Sequence, residues 1–323
     1  MLYWRLNMSA YCRWRSIACV SAVFAAFTLA GCGGDKGGEK TSGGGGSGGS
    51  KVTEGGGSKS TPAGEKTAIE GKGTATLKGK VTYGGATVPT RKDLKPEMEK
   101  QGDKSHCVKG DTLSQDWIVG PDKGVEYAVV FLKAPSTKYF KVPDELRHRT
   151  DTVVIDQPFC AFQPHVVAIN PSSWDAQTKK QVKTGQVFKI QNSAPINHNT
   201  AWHGNSILNP GKNESIPAKK GDEIQFRLIE TRPSRETETG KEDIIAIGCD
   251  IHKWMSGRAV VLDHPYYAVT DKDGNYEIKN APADAELEVV VWHESMGDST
   301  NKGHKETITL KPGENTKNFE VGK

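Results

Sequence analysis

Residues 244–261 read Ile244-Ile-Ala-Ile-Gly-Cys249-Asp-Ile-His252-Lys-Trp-Met255-Ser-Gly257-Arg-Ala-Val-Val261. Two short apolar runs enclose a segment that carries a thiol, an imidazole and a thioether at every third position. The runs predict strands over 244–248 and 258–262, which makes the segment a loop at the end of a sheet. A thiolate binds copper strongly, imidazole suits both of its oxidation states, and a soft thioether favours Cu(I). A second imidazole, His198, stands upstream in Ile196-Asn197-His198-Asn199-Thr200. Two histidines, one cysteine and a weakly bound methionine are the ligand set of a blue-copper electron-transfer centre.

Outward from this segment the chain is mostly short β-branched or alternating runs. Strands are predicted over 77–83, 127–132, 165–169, 187–191, 223–229, 267–270, 276–279, 287–292 and 307–310. Turn signals separate them, among them Gly84-Gly85, Asn209-Pro210-Gly211 and Asp273-Gly274-Asn275. Many short strands at modest spacing indicate an all-β sandwich or barrel. One short helix is predicted over 92–101, and the polar stretches 171–184 and 231–241 read as surface loops.

From residue 185 to 263 the order of features resembles the cupredoxin family, in its plastocyanin and amicyanin forms. The run Gly185-Gln-Val-Phe-Lys-Ile-Gln-Asn192 resembles the strand before the first ligand loop, and Pro195-Ile-Asn-His198-Asn199 the family's Pro-His-Asn segment. Met255-Ser-Gly257-Arg-Ala-Val-Val261 resembles the closing Met-x-Gly-x-Val-x-Val strand. The resemblance implies one copper ion held by His198, Cys249, His252 and Met255, with Asn199 bracing the loops near the thiolate. It also implies that His252 is the exposed ligand through which electrons leave, with Trp254 beside it as a docking surface or a packed loop residue. Three other readings stay open. Cys249 is a buried structural thiol, His203 rather than His198 is the first ligand, or the same residues hold zinc, for which a thioether is a poor donor.

Tyr267-Ala-Val-Thr-Asp-Lys-Asp-Gly274-Asn-Tyr276 and the run 287–292 resemble carboxypeptidase regulatory-like domains, which are small prealbumin-like sandwiches. Gly79-Lys-Val-Thr-Tyr-Gly-Gly85 fits their opening strand. The expected fold is therefore a cupredoxin-type Greek-key β-sandwich packed with a smaller prealbumin-like β-sandwich. Residues 75–150 would form the first part of a split prealbumin-like domain, 151–263 the cupredoxin domain, and 264–323 the remaining prealbumin-like segment. Asp271 and Asp273 are read as turn residues, because the other ligands of a calcium loop are missing. The aromatics and histidines at 264–267 and 292–294 are read as a packing seam or a binding cleft. In the cluster Cys160-Ala-Phe-Gln-Pro-His165, a half-cystine followed by a strand histidine is favoured over a second metal site.

Arg5, Arg13 and Arg15 precede an apolar run over 17–30 that ends in Leu29-Ala-Gly-Cys32. A charged n-region, a short apolar core and small residues before a cysteine resemble a bacterial lipoprotein signal over 1–31, with Cys32 lipidated. The Gly/Ser-rich segment 32–74 reads as a disordered tether with a reach of roughly 35 Å for ~40 residues. Loss of the signal takes the net charge from +4 to +1, and basic and acidic residues are interspersed, which gives no footprint for nucleic acid. Of the six cysteines, Cys107, Cys160 and Cys249 remain in the mature chain. In an oxidising envelope an odd number withholds one thiol, so metal binding by Cys249 leaves Cys107 and Cys160 to pair; a disulfide through Cys249 would remove the ligand.

These readings together describe an exported lipoprotein, membrane-anchored by its lipid and facing the periplasm or exterior, with the outer membrane favoured. It would pass single electrons between redox partner proteins of the envelope. No residue is assigned as acid, base or nucleophile, so an electron carrier is expected rather than an enzyme. The competing functions are a cell-envelope scaffold for a carbohydrate or protein ligand, and a copper-handling protein.

Overall fold

A strand that buries one face alternates apolar and polar residues. Val129, Val130, Phe131 and Leu132 break that rule, and all four are fully buried. The strand Val129–Lys133 lies within a four-stranded sheet that is covered on both sides. Val130 and Leu132 pack with Leu77, Val81, Tyr276, Ile278 and Leu287 in one core. Val129 and Phe131 pack with Val166, Ala168, Ile244, Val260 and Leu262 in another. Continuous apolar runs are what a doubly covered strand requires.

The computed structural model describes residues 66–232 and 242–322. These form an all-β molecule built on four stacked sheets, with two further two-stranded pairs beside them. The outermost sheet pairs Thr74–Tyr83 with Asn275–Pro282 on one side and with Gly313–Thr316 and Phe319–Val321 on the other. The next holds Tyr267–Val269, Val129–Lys133, Glu286–Trp292 and His304–Thr309 in that order. Behind it lies a five-stranded sheet in the order Lys212–Ile216, His198–His203, Asp243–Gly248, Ser256–Val261 and Val166–Ile169, whose last pair is parallel. The fourth sheet is Gln225–Leu228, Val187–Asn192 and Thr152–Asp156. A third core between the last two sheets contains Ile155, Ile190, Ile245, Ile247, Ala259 and Val261. The strand Asp243–Gly248 therefore divides its side chains between two cores, Ile244 facing one and Ile245 and Ile247 the other.

A tight turn carries the chain from Tyr267–Val269 of the second sheet into Asn275–Pro282 of the first. Asp271 Oδ1 accepts from the Asp273 and Asn275 amides at 2.9 and 2.8 Å, so this carboxylate serves the turn. Gly274 has φ +82°, and a Cβ there would stand 2.4 Å from the Val81 carbonyl oxygen.

Four expectations need correction. The stretch 171–184 contains a hairpin, Ser172–Asp175 against Lys180–Lys183; its turn is polar, but Ser173 is buried. The helix expected over 92–101 is shorter, Lys95–Met98, and a second helix follows at Lys104–Cys107. Their residues Met98 and Cys107 join the core of the five- and three-stranded sheets. Residues 95–107 thus leave the sheets that their flanking strands belong to, which the range 75–150 had treated as one segment. The tether expected to reach residue 74 ends earlier. Thr67–Ala68 pairs in parallel with Lys138–Tyr139, and Ile69 is buried against the first core. Ile69 is the one large aliphatic side chain near the end of that polar segment. The signal, Cys32 and most of the tether lie outside the described residues, as does 233–241 of the second polar loop.

Candidate metal centre

The central strand Asp243–Gly248 is hydrogen-bonded on both sides, to His198–His203 and Ser256–Val261. Pairing ends at Gly248, and Cys249 emerges at the rim of the five-stranded sheet. One turn then returns the chain, closed by the Met255 amide donating to the His252 carbonyl at 2.9 Å. Gly257 allows the returning strand to approach closely: a Cβ there would meet the His165 carbonyl at 3.1 Å and Phe162 at 3.3 Å. Cys249 and Met255 are 4 % exposed, and His198 and His252 are 0 % exposed. Water is excluded from all four donors.

Asn199, on the neighbouring strand, organises the loop. Its Oδ1 accepts from the Cys249 thiol at 3.2 Å and from the Asp250 and Ile251 amides at 2.8 and 3.2 Å. Its Nδ2 donates to Asn213 Oδ1 at 2.7 Å. Cys249 is an unpaired, buried thiol, and its Sγ lies 4.0 Å from His252 Nδ1. The His198 and His252 rings meet edge-on with centroids 4.9 Å apart.

His198 opens its strand and is held from behind by Asn192, whose Oδ1 is 3.1 Å from His198 Nδ1. The Asn192 side-chain Nδ2 lies within donating distance of the Ile196, Ile216 and Pro217 carbonyls, at 2.9, 3.0 and 3.0 Å. His198 Nε2 is buried without a partner. Burial, with His252 and His106 nearby, pushes the His198 pKa down to about 3. Burial also lowers that of His252, against the opposing effect of the Asp103 carboxylate. Both imidazoles are therefore kept in the neutral, metal-binding form. The donors fit a soft or borderline metal: an unpaired thiol, two neutral imidazoles and a buried thioether, with the Nε2 atoms of both rings left without a hydrogen-bond partner.

His252 does not occupy the exposed position expected for an electron exit. A cap covers it, built from the helices Lys95–Met98 and Lys104–Cys107 and the segment around Cys160. Cys107 and Cys160 form a disulfide. Their sulfurs and a His252 ring nitrogen all lie within 4.8 Å of one another, the one such trio of potential donors among the described residues. His198, Cys249 and His252 are set more openly than that trio. The bridge uses both cap sulfurs, which leaves Cys249 as the free thiol among the described residues. Trp254 packs on the His252 ring at 5.3 Å, and its Nε1 donates to the Cys160 carbonyl at 3.1 Å.

His106, on the cap helix Lys104–Cys107, is near the centre, whereas His165, His203, His264 and His293 lie elsewhere. His203 ends the same strand as His198 but is exposed, on the opposite side of the sheet. His165 precedes Val166–Ile169 and pairs with Glu294. His264 packs against Phe140 and Tyr266, and His293 stacks on Trp117. Asn192 and Asp103 were not singled out from sequence. Asn192 closes the strand that leads into the first ligand loop, and Asp103 lies about 150 residues from the Cys249 loop, with no local pattern to tie it there. Comparison with family models, with curated proteins and with solved structures finds no match.

Proposed function

We propose that the chain is a copper-binding electron carrier of cupredoxin type, with His198, Cys249, His252 and Met255 as ligands. One observation supports this most: an unpaired buried thiol 4.0 Å from a buried imidazole, at the rim of a β-sandwich, with a second neutral imidazole in edge contact. Copper in such a set would supply a one-electron Cu(II)/Cu(I) couple. The chain's own residues hold the donors still. Asn199 fixes the Cys249 loop, Asn192 fixes His198, and Trp254 with the disulfide backs His252. Donors held by packed neighbours rearrange little when the metal charge changes, which favours fast electron transfer. Because His252 is covered, an electron would cross the exposed flank of the ligand loop, where Asp250, Ile251 and Lys253 reach solvent.

The Greek-key connection, the prealbumin-like character of the outer two sheets and anchoring through a lipid on Cys32 belong to the same proposal. They rest on the sequence patterns, as does the envelope location. A second reading, a scaffold that binds a carbohydrate or protein ligand, draws on a polar cavity of about 580 Å³ lined by Lys133, His203, Asn205, Glu242, Asp243 and Asp298 among others.

Voltammetry separates the two. The copper-loaded chain should give a reversible one-electron wave that Cys249→Ser abolishes. Glycan or protein binding by both forms, with no such wave in either, would favour the scaffold.

A further inference from the structure

We infer that Asp103 is a positioning residue for the His252 ligand, clasped behind the imidazole by the Cys107–Cys160 bridge; this rests on the copper reading above. Asp103 is the N-cap of the helix Lys104–Cys107, yet its side chain makes no capping hydrogen bond. Aspartate at that position ordinarily accepts from the first helical amides. Here the carboxylate turns to the metal centre instead, with Oδ2 3.3 Å from His252 Nε2. The contact has ion-pair distance without an aligned hydrogen bond, so Nε2 has no hydrogen-bond partner. The other ring nitrogen, Nδ1, faces the Cys249 sulfur. The imidazole is thus set between a thiol and a carboxylate.

A disulfide and a hydrogen bond tie the Asp103 helix to the ligand loop. That helix ends at Cys107, which is bridged to Cys160, and the Cys160 carbonyl accepts from Trp254, two residues from His252. The path from Asp103 through the disulfide to the ligand loop closes on itself around the ring. Met98, 1 % exposed, anchors the preceding turn in the same core as Cys249 and Met255.

Even without an aligned hydrogen bond, a carboxylate 3.3 Å from Nε2 favours the Nε2–H tautomer by its charge and raises the basicity of the other, metal-facing nitrogen. It stabilises the more highly charged Cu(II) more than Cu(I). Asp103→Asn in the full chain should therefore weaken Cu(II) binding by roughly 10–100-fold and Cu(I) binding less. A tenfold loss confined to Cu(II) raises the one-electron potential by about 59 mV. Cys107→Ser/Cys160→Ser should shift the Cu(II)/Cu(I) affinity ratio in the same direction and add little on top of Asp103→Asn. An unchanged ratio in Asp103→Asn would overturn the inference and leave the copper reading intact. Absence of one-to-one copper binding by the wild-type chain would instead sink the copper reading.

Nitrogen NMR of the apo-protein tests the placement without metal. His252 should be the Nε2–H tautomer in the wild type and a mixture in Asp103→Ala. The same tautomer population in both would also overturn the inference.

Discussion

At the scale of single residues, burial and hydrogen bonding decide which histidines carry charge. His264 accepts the Tyr266 amide on Nδ1 at 3.2 Å, and His293 accepts that of Ser295 at 3.3 Å. Burial pushes both pKa values down to about 4, and that of His198 to about 3. The unfolded chain protonates these groups near their ordinary value of 6.5, while the folded chain resists protonation until about 4 or below. Stability of the apo-protein should therefore fall as pH drops from about 6.5 towards 4, by up to about 1.4 kcal/mol per pH unit for each histidine. Urea midpoints measured across that window should decline steadily; a flat profile would contradict neutral burial. Residue types at the centre were legible because Cys249, His252 and Met255 share one short loop and His198 lies in a recognisable context. The bracing by Asn192 and the turn of Asp103 away from its own helix depend on contacts between distant segments, and no spacing reveals them.

At the scale of elements, the disulfide sets the position of the cap. It closes a loop of sequence separation 53 between Cys107 and Cys160. On the loop-entropy relation its removal should cost about 4 kcal/mol. Cys107→Ser/Cys160→Ser should lower the urea midpoint accordingly, and an unchanged midpoint would show that the cap is held by packing alone. The strands legible in sequence are those with strong apolar character, such as Asp243–Gly248 and Glu286–Trp292. Those missed carry mixed or polar sequences. His198–His203 is interior to its sheet and mostly buried but is made largely of polar residues, and Lys212–Ile216 is an edge strand, which needs few apolar residues. The hairpin at Ser172–Asp175 was hidden for the same reason. The helix over 92–101 is shorter than its pattern: Pro96 suits only the first turn, so it starts at Lys95, and after Met98 the backbone continues only as turns through Gln101.

At the scale of the whole molecule, four sheets share three cores, and the middle two sheets are apolar on both faces. This explains why runs such as 129–132 and 166–169 do not alternate, a pattern that identified strands without saying what covers them. The strand Asp243–Gly248 reaches from the central core between Val129–Lys133 and its neighbours to the rim where Cys249 stands. A loop on so well-buried a strand is a stiff mount for ligands.

The most direct test of the copper reading is the visible and electron paramagnetic resonance spectrum of the full chain after one equivalent of Cu(II). The account predicts an intense blue absorption with the narrow copper hyperfine splitting of a thiolate-bound centre, lost in Cys249→Ser. A colourless protein, or a spectrum that Cys249→Ser leaves unchanged, would contradict it.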